Sequence, residues 1–143
     1  MVAKIIPVES FDLIVFGATG DLACRKIFPA LFNRLVVGQM PSNVRVIGVG
    51  RKNIGLTSFR ALVKSSVTKF ATREAASSDW LEVFLNCFSY VALDALSDEN
   101  WSCLQKLVRS KVPRVFYLSV GPDLFEKIAS PISMLVLKFA WSL

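Results

Sequence analysis

The sequence predicts an α/β protein, a doubly wound parallel sheet left incomplete at its C-terminal end. Three observations predict it. Four short apolar runs, near residues 12–16, 44–49, 88–93 and 115–120, have strand length and alternate with segments of helical spacing. The first of them lacks polar alternation, as a strand covered on both faces should. That run stops at Gly17-Ala-Thr-Gly-Asp21, and Leu22, Ala23, Ile27, Phe28 and Leu31 follow at once with the period of an amphipathic helix. Strand, tight turn and helix are therefore contiguous.

Residues 1–10 read as a lead-in, and Asp12 to Phe16 as a central strand. The helix that follows runs from Leu22 to Val37, with Gly38 placed to end it. Pro29 lies inside it and removes a hydrogen bond, so a bend is expected near Phe28. Strand two, Val44 to Val49, ends at Gly50-Arg51-Lys52. Thr57 is placed to cap a helix that reaches Ala71 and buries Phe59, Leu62, Val63, Val67 and Phe70. A second helix, Ser78 to Leu85, turns Trp80, Leu81, Phe84 and Leu85 inward. Phe88 to Leu93 is the third strand, and Asp98 to Arg109 a helix carrying Trp101, Leu104, Leu107 and Val108. The fourth strand, Val115 to Val120, is broken by Gly121-Pro122, after which Asp123 caps a helix with Leu124, Phe125 and Ile128. Residues 129–143 form an apolar tail with no assigned place.

With 143 residues the chain suits one domain, 1–143, rather than two. The net charge of +6 is scattered, with no run of five cations, so no nucleic-acid partner is expected. Cys24, Cys87 and Cys103 are widely spaced and the chain has no histidine, which argues against a zinc site or a disulfide framework. Free thiols in a reducing compartment are the expectation. Ile132 to Leu143 contains Lys138 and is too short to cross a bilayer, and MVAKIIPVES lacks the core of a secretory signal. A cytoplasmic protein with no membrane partner is expected.

The first turn carries the candidate chemistry. Gly17 and Gly20 permit positive φ and close backbone approach, and Ala23 keeps the helix near the strand. A helix N-terminus presents unpaired N–H groups and the positive end of a dipole, so a pyrophosphate suits this turn without a basic side chain. Spacing alone leaves a purely structural turn open. The end of strand two bears on the choice of nucleotide. A carboxylate there selects a free ribose 2′-hydroxyl and an arginine accommodates a 2′-phosphate. Arg51 and Lys52 stand there, with no acid between Val44 and Leu56, which favours NADP over NAD. Arginine is the stronger candidate, because its planar fork grips a phosphate and stacks on adenine; a solvated loop cation is the plainer reading of the same residue.

The decapeptide Gly17-Ala-Thr-Gly-Asp-Leu-Ala-Cys-Arg-Lys26, continued by Phe28-Pro29, resembles the N-terminal signature of the glucose-6-phosphate dehydrogenase family. Val46-Ile-Gly-Val-Gly-Arg51, Phe88-Ser-Tyr-Val-Ala-Leu-Asp94 and Arg114-Val-Phe-Tyr-Leu-Ser-Val120 resemble later segments of that family in the same order. The resemblance covers residues 11 to 128. It implies a Rossmann-like NADP-binding domain in which Gly17, Ala18, Thr19, Gly20, Asp21, Leu22, Ala23 and Cys24 line the coenzyme phosphates. Arg51 would meet the 2′-phosphate, Tyr117 would flank the nicotinamide side, and Lys26 would lie close to the reacting centre. Residue chemistry alone makes Tyr117 a core aromatic and Lys26 a solvated helix cation.

The departures matter equally. Cys24 stands where the family commonly has lysine, and Gly121-Pro122 replaces its usual Pro-Pro. The family's Glu-Lys-Pro-x-Gly and Arg-Ile-Asp-His-Tyr-Leu-Gly-Lys segments are missing, as is the histidine that serves as its base. The family's members are roughly three times as long, a nucleotide domain plus a substrate domain. The expectation is therefore a coenzyme half without a catalytic half, inactive alone and meeting glucose 6-phosphate only if that half is supplied elsewhere. Three further readings compete with it. A short-chain reductase would need Tyr-x-x-x-Lys, and Tyr90 and Tyr117 are followed at that spacing by Asp94 and Gly121. A non-catalytic nucleotide sensor would bind NADP but no sugar phosphate, and a relic would not fold stably.

Overall fold

A computed structural model of the protein describes residues 9–76, 79–94, 101–121, 123 and 126–128. Among these residues four strands, β1 (Asp12–Phe16), β2 (Arg45–Gly50), β3 (Phe88–Ala92) and β4 (Arg114–Leu118), form one parallel sheet in the order β3-β2-β1-β4. The expected fold class is borne out. β1 is central and buried at every position, because consecutive side chains point to opposite faces and both faces are covered. Leu13 and Val15 enter one core with Phe28, Phe32, Phe59, Phe84 and Phe88, while Ile14 and Phe16 enter a second with Trp101, Leu104 and Ile128.

The first core is built from edge-on aromatic pairs. Phe28 meets Phe59 at 5.9 Å and Phe88 at 5.4 Å between ring centroids, and Phe84 meets Phe88 at 4.9 Å. Gly48 in β2 leaves the room that the Phe59 ring fills, since a Cβ built there would collide with it.

The bend expected at Pro29 takes a particular form. A π-helical turn, Ala23–Ile27, precedes α1 (Phe28–Val36), and the Phe28 N–H bonds back to the Ala23 carbonyl. Proline has no N–H and its ring crowds the carbonyl one turn back, and a π bulge relieves both by resetting the register. Gly38 ends the helix as expected, with φ +78° and its N–H donated to the Leu35 carbonyl at 3.2 Å.

Other expectations need correction. The helix assigned to Thr57–Ala71 is α2 (Gly55–Phe70), so Thr57 lies inside its first turn; the N-cap is Ile54, without a side-chain bond. Phe70 is exposed rather than buried. A short helix α3 (Arg73–Ala76) has no counterpart among the expected elements, and α4 (Leu81–Asn86) starts three residues after Ser78. Trp80 is its N-cap residue and is exposed rather than inward-facing. In α5 (Trp101–Leu107), Trp101 and Leu104 are buried as expected; the start expected at Asp98 lies outside the described residues, as do Leu124, Phe125 and the tail 129–143.

The N-terminal end of the sheet is closed by an ion pair between a buried carboxylate and a partly exposed arginine. Asp12 is fully buried and accepts from the Arg109 backbone N–H at 2.6 Å and its Nε–H at 2.8 Å. The same guanidinium donates to Ser10 Oγ and the Phe11 carbonyl, both at 3.1 Å. The glycine turn lies at the opposite end.

Candidate functional site

The carboxyl ends of all four strands border a cleft of about 300 Å³. It opens where strand order reverses about β1, the place where open parallel sheets bind ligands. Gly17, with φ +78°, begins the turn there, and its N–H and that of Ala18 both donate to the Val49 carbonyl, at 3.0 and 3.1 Å. A Cβ at Gly17 would collide with the Ser119 carbonyl, so only glycine lets the ends of β1 and β4 come this close. Gly20 plays a different part from the one expected. Its φ is not positive; its N–H donates to the Gly17 carbonyl at 3.0 Å, and a Cβ there would stand 3.2 Å from that oxygen.

The eight residues of the turn divide by position. Gly17, Thr19 and Gly20 line the cleft. Ala18 and Ala23 are buried in the core, where their small side chains admit the helix to the sheet. Asp21 is exposed and accepts from Arg25 Nε–H at 2.7 Å, and Leu22 is exposed. Cys24 is half-buried against α2, where the Ser66 hydroxyl donates to its carbonyl. Burial, and next the Asp21 carboxylate, push its thiol pKa up, so the group stays protonated and is a poor nucleophile.

Arg51 borders the cleft and also a side opening shared with Thr19, Lys52 and Ser58. Thr19 and Arg51 therefore stand at the junction of the two spaces. One cation comes from the end of β2, a second follows it in sequence, and a hydroxyl comes from the first turn of α2. Lys26 and Tyr117 lie elsewhere, on an apolar groove between α1 and β4 that Leu31, Met40 and Val115 also line. Tyr117 is 41% exposed rather than a core aromatic, because β4 is an edge strand among the described residues and this face of it is open. Asp94 and Ser119 border the cleft without having been assigned to it. Their signal was present: each lies just past the carboxyl end of a parallel strand.

A doubly wound parallel sheet with a glycine turn at its switch point defines the chain as a dinucleotide-binding domain of Rossmann type. Residues 14–141 match the family model described as glucose-6-phosphate dehydrogenase, NAD binding domain. The chain belongs to the glucose-6-phosphate dehydrogenase family. It is 37% identical over 134 residues to the glucose-6-phosphate 1-dehydrogenase of Rhizobium meliloti (strain 1021), a match covering 92% of this chain and 27% of the relative. The Leuconostoc mesenteroides glucose-6-phosphate 1-dehydrogenase is 31% identical over 136 residues, or 90% of this chain and 26% of that one. Among solved structures, glucose-6-phosphate dehydrogenase in complex with its substrate glucose-6-phosphate superposes with a TM-score of 0.80 at 28% identity, covering 94% of this chain and 29% of that one. The chain thus spans little more than a quarter of these relatives. No described helix is long and apolar enough to cross a membrane, and no described cluster of side chains could hold a metal ion.

Proposed function

We propose that this chain is the NADP-binding domain of a glucose-6-phosphate 1-dehydrogenase, a single dinucleotide-binding unit over residues 1–143. The observation that carries the reading is at Thr19 and Arg51, which border both the cleft at the glycine turn and a cation-lined side space. The residues present suit the coenzyme. Gly17 and Gly20 keep side chains away from a turn followed by a helix N-terminus, which is the setting a pyrophosphate needs. Arg51, with Lys52, Thr19 and Ser58 around it, would hold the 2′-phosphate, and the guanidinium would supply two parallel donors to it.

When bound, the nicotinamide accepts a hydride from the substrate. The domain's own part is to orient the coenzyme and shield one side of it. Abstraction of the sugar hydroxyl proton needs a base near neutrality, which histidine ordinarily supplies, and these 143 residues contain none. Tyr117 and Lys26, which the resemblance sets on the reaction side, share the groove between α1 and β4, so that groove is the side on which substrate would be met. Three free cysteines suit the reducing cytoplasm.

Titration calorimetry of the chain with NADP and NAD tests the reading, with NADP reduction followed in excess glucose 6-phosphate. Expected are NADP binding at least about tenfold tighter than NAD, in line with a charge-assisted, two-donor phosphate–arginine pair, loss of that preference in Arg51→Ala, and no turnover. Equal binding of the two coenzymes would refute the 2′-phosphate site. Turnover that disappears in Arg51→Ala would refute the assignment of catalysis to residues outside this chain.

A further inference from the structure

The side chain of Arg51 is exposed, so its placement depends on how firmly the backbone beneath it is held. That backbone leaves β2 at Gly50 and turns into α2 at Gly55. Two of its carbonyls are tied to groups outside β2. The Gly50 carbonyl accepts from the Leu93 N–H at 2.8 Å, and the Lys52 carbonyl accepts from the Ile54 N–H at 3.0 Å and from the Tyr90 hydroxyl at 2.6 Å. Arg51 lies between the two.

Tyr90 belongs to β3, on the far side of β2 from the glycine turn, and pairs in register with Gly48. Its ring rests on Phe59 at 4.9 Å, which fixes its direction along the sheet face. Its hydroxyl then occupies the space where a side chain at position 50 would begin, since a Cβ built on Gly50 would meet that oxygen at 2.5 Å. Gly50 and Tyr90 are thus a matched pair: the missing side chain at 50 is the passage through which the phenol reaches the Lys52 carbonyl. A tyrosine phenol is protonated, and so a donor, at neutral pH, and burial raises its pKa further.

We propose that Tyr90 is a positioning residue for coenzyme selection: through its hydrogen bond to the Lys52 carbonyl it holds the segment that presents Arg51 and Lys52 to a 2′-phosphate. The inference rests on the NADP reading given above. Nothing in the phenol's position reaches the cleft itself, as Tyr90 borders neither of the two spaces that Arg51 borders. Its effect should therefore fall on the discrimination between coenzymes and spare the binding of what they share.

The experiment is calorimetric titration of the full chain with NADP and with NAD, for the wild type, Tyr90→Phe and Arg51→Ala. Tyr90→Phe keeps the ring against Phe59 and deletes only the donor. The expected result is NADP binding weakened about three- to tenfold, the scale of one lost hydrogen bond, with NAD unchanged within about twofold. A second variant, Gly50→Ala, pushes the hydroxyl away from the other side and should lower the NADP-to-NAD ratio in the same direction. If Tyr90→Phe leaves that ratio unchanged, or weakens both coenzymes equally, the hydroxyl only supports the fold and the inference is overturned. If Arg51→Ala itself leaves the ratio unchanged, the NADP reading fails, an outcome distinct from failure of the Tyr90 inference alone.

Discussion

Gly17 and Gly38 share the same backbone conformation, φ +78°, but not the same surroundings. A Cβ at Gly38 would have no neighbour within 4 Å, whereas one at Gly17 would strike the Ser119 carbonyl and stand 3.2 Å from Val120 Cγ1. Replacing either by alanine imposes the left-handed penalty, about 1–2 kcal/mol. Only Gly17→Ala adds a collision with backbone that cannot rotate away. Separating β1 from β4 there also strains the Ser119 N–H bond to the Phe16 carbonyl, 2.9 Å long. Overpacking of this kind costs about 1–3 kcal/mol, which brings Gly17→Ala to roughly 2–5 kcal/mol against 1–2 for Gly38→Ala. Urea unfolding followed by tryptophan fluorescence measures both, because the Trp101 ring lies 5.9 Å from that of Phe16, the residue before the turn. Equal losses in the two variants would refute the claim that close approach of β1 and β4 is what demands glycine at 17.

Other outcomes follow from the same structure. Asp12→Ala leaves the Arg109 backbone N–H and guanidinium without their buried acceptor, and should cost about 3 kcal/mol in urea unfolding while NADP affinity of the folded chain stays within about twofold. Asp21→Asn removes an exposed pair and should shift stability by less than about 0.5 kcal/mol. Burial raises the thiol pKa values of Cys24 and Cys87, so iodoacetamide at pH 8 should modify the exposed Cys103 first, as peptide mass mapping would show. The raised values of Cys24, Cys87 and Tyr90 also set a sign: the unfolded chain releases these protons first. Stability from this source is intact below about pH 8.5 and is lost as pH rises through the folded pKa values, which unfolding curves across that range should show.

What the sequence made legible was what is contiguous in it. β1, the turn and the following helix occupy one stretch, and each of their signals, an apolar run, two glycines and a helical period, is local. Proline announced a disturbance near Phe28 but could not say that it would be a π turn, because that depends on where the helix must rejoin the sheet. Trp80 has helical spacing with Phe84, yet α4 begins after it, so the same spacing leaves it in solvent. Tyr117 illustrates a further limit: alternation identifies a strand, while the covering of each face depends on which strand lies at the edge. The cleft shows it again. Asp94, Ser119 and Arg51 come from three strand ends far apart in the chain, and only the order β3-β2-β1-β4 brings them to one opening. The bond from Tyr90 to Lys52 spans 38 residues and has no local signature.

Whether the side opening beside Arg51 receives a 2′-phosphate is the central question for this domain. Adenosine 2′,5′-bisphosphate and adenosine 5′-monophosphate differ only in that group, so titrating each into the isotope-labelled chain and following backbone amides by NMR addresses it directly. The bisphosphate is predicted to bind at least about tenfold tighter, moving the amides of Gly17, Thr19, Gly20 and Arg51, and the monophosphate to move the first three without Arg51. Equal affinities, or shifts confined to the groove lined by Lys26 and Tyr117, would contradict a 2′-phosphate site at Arg51.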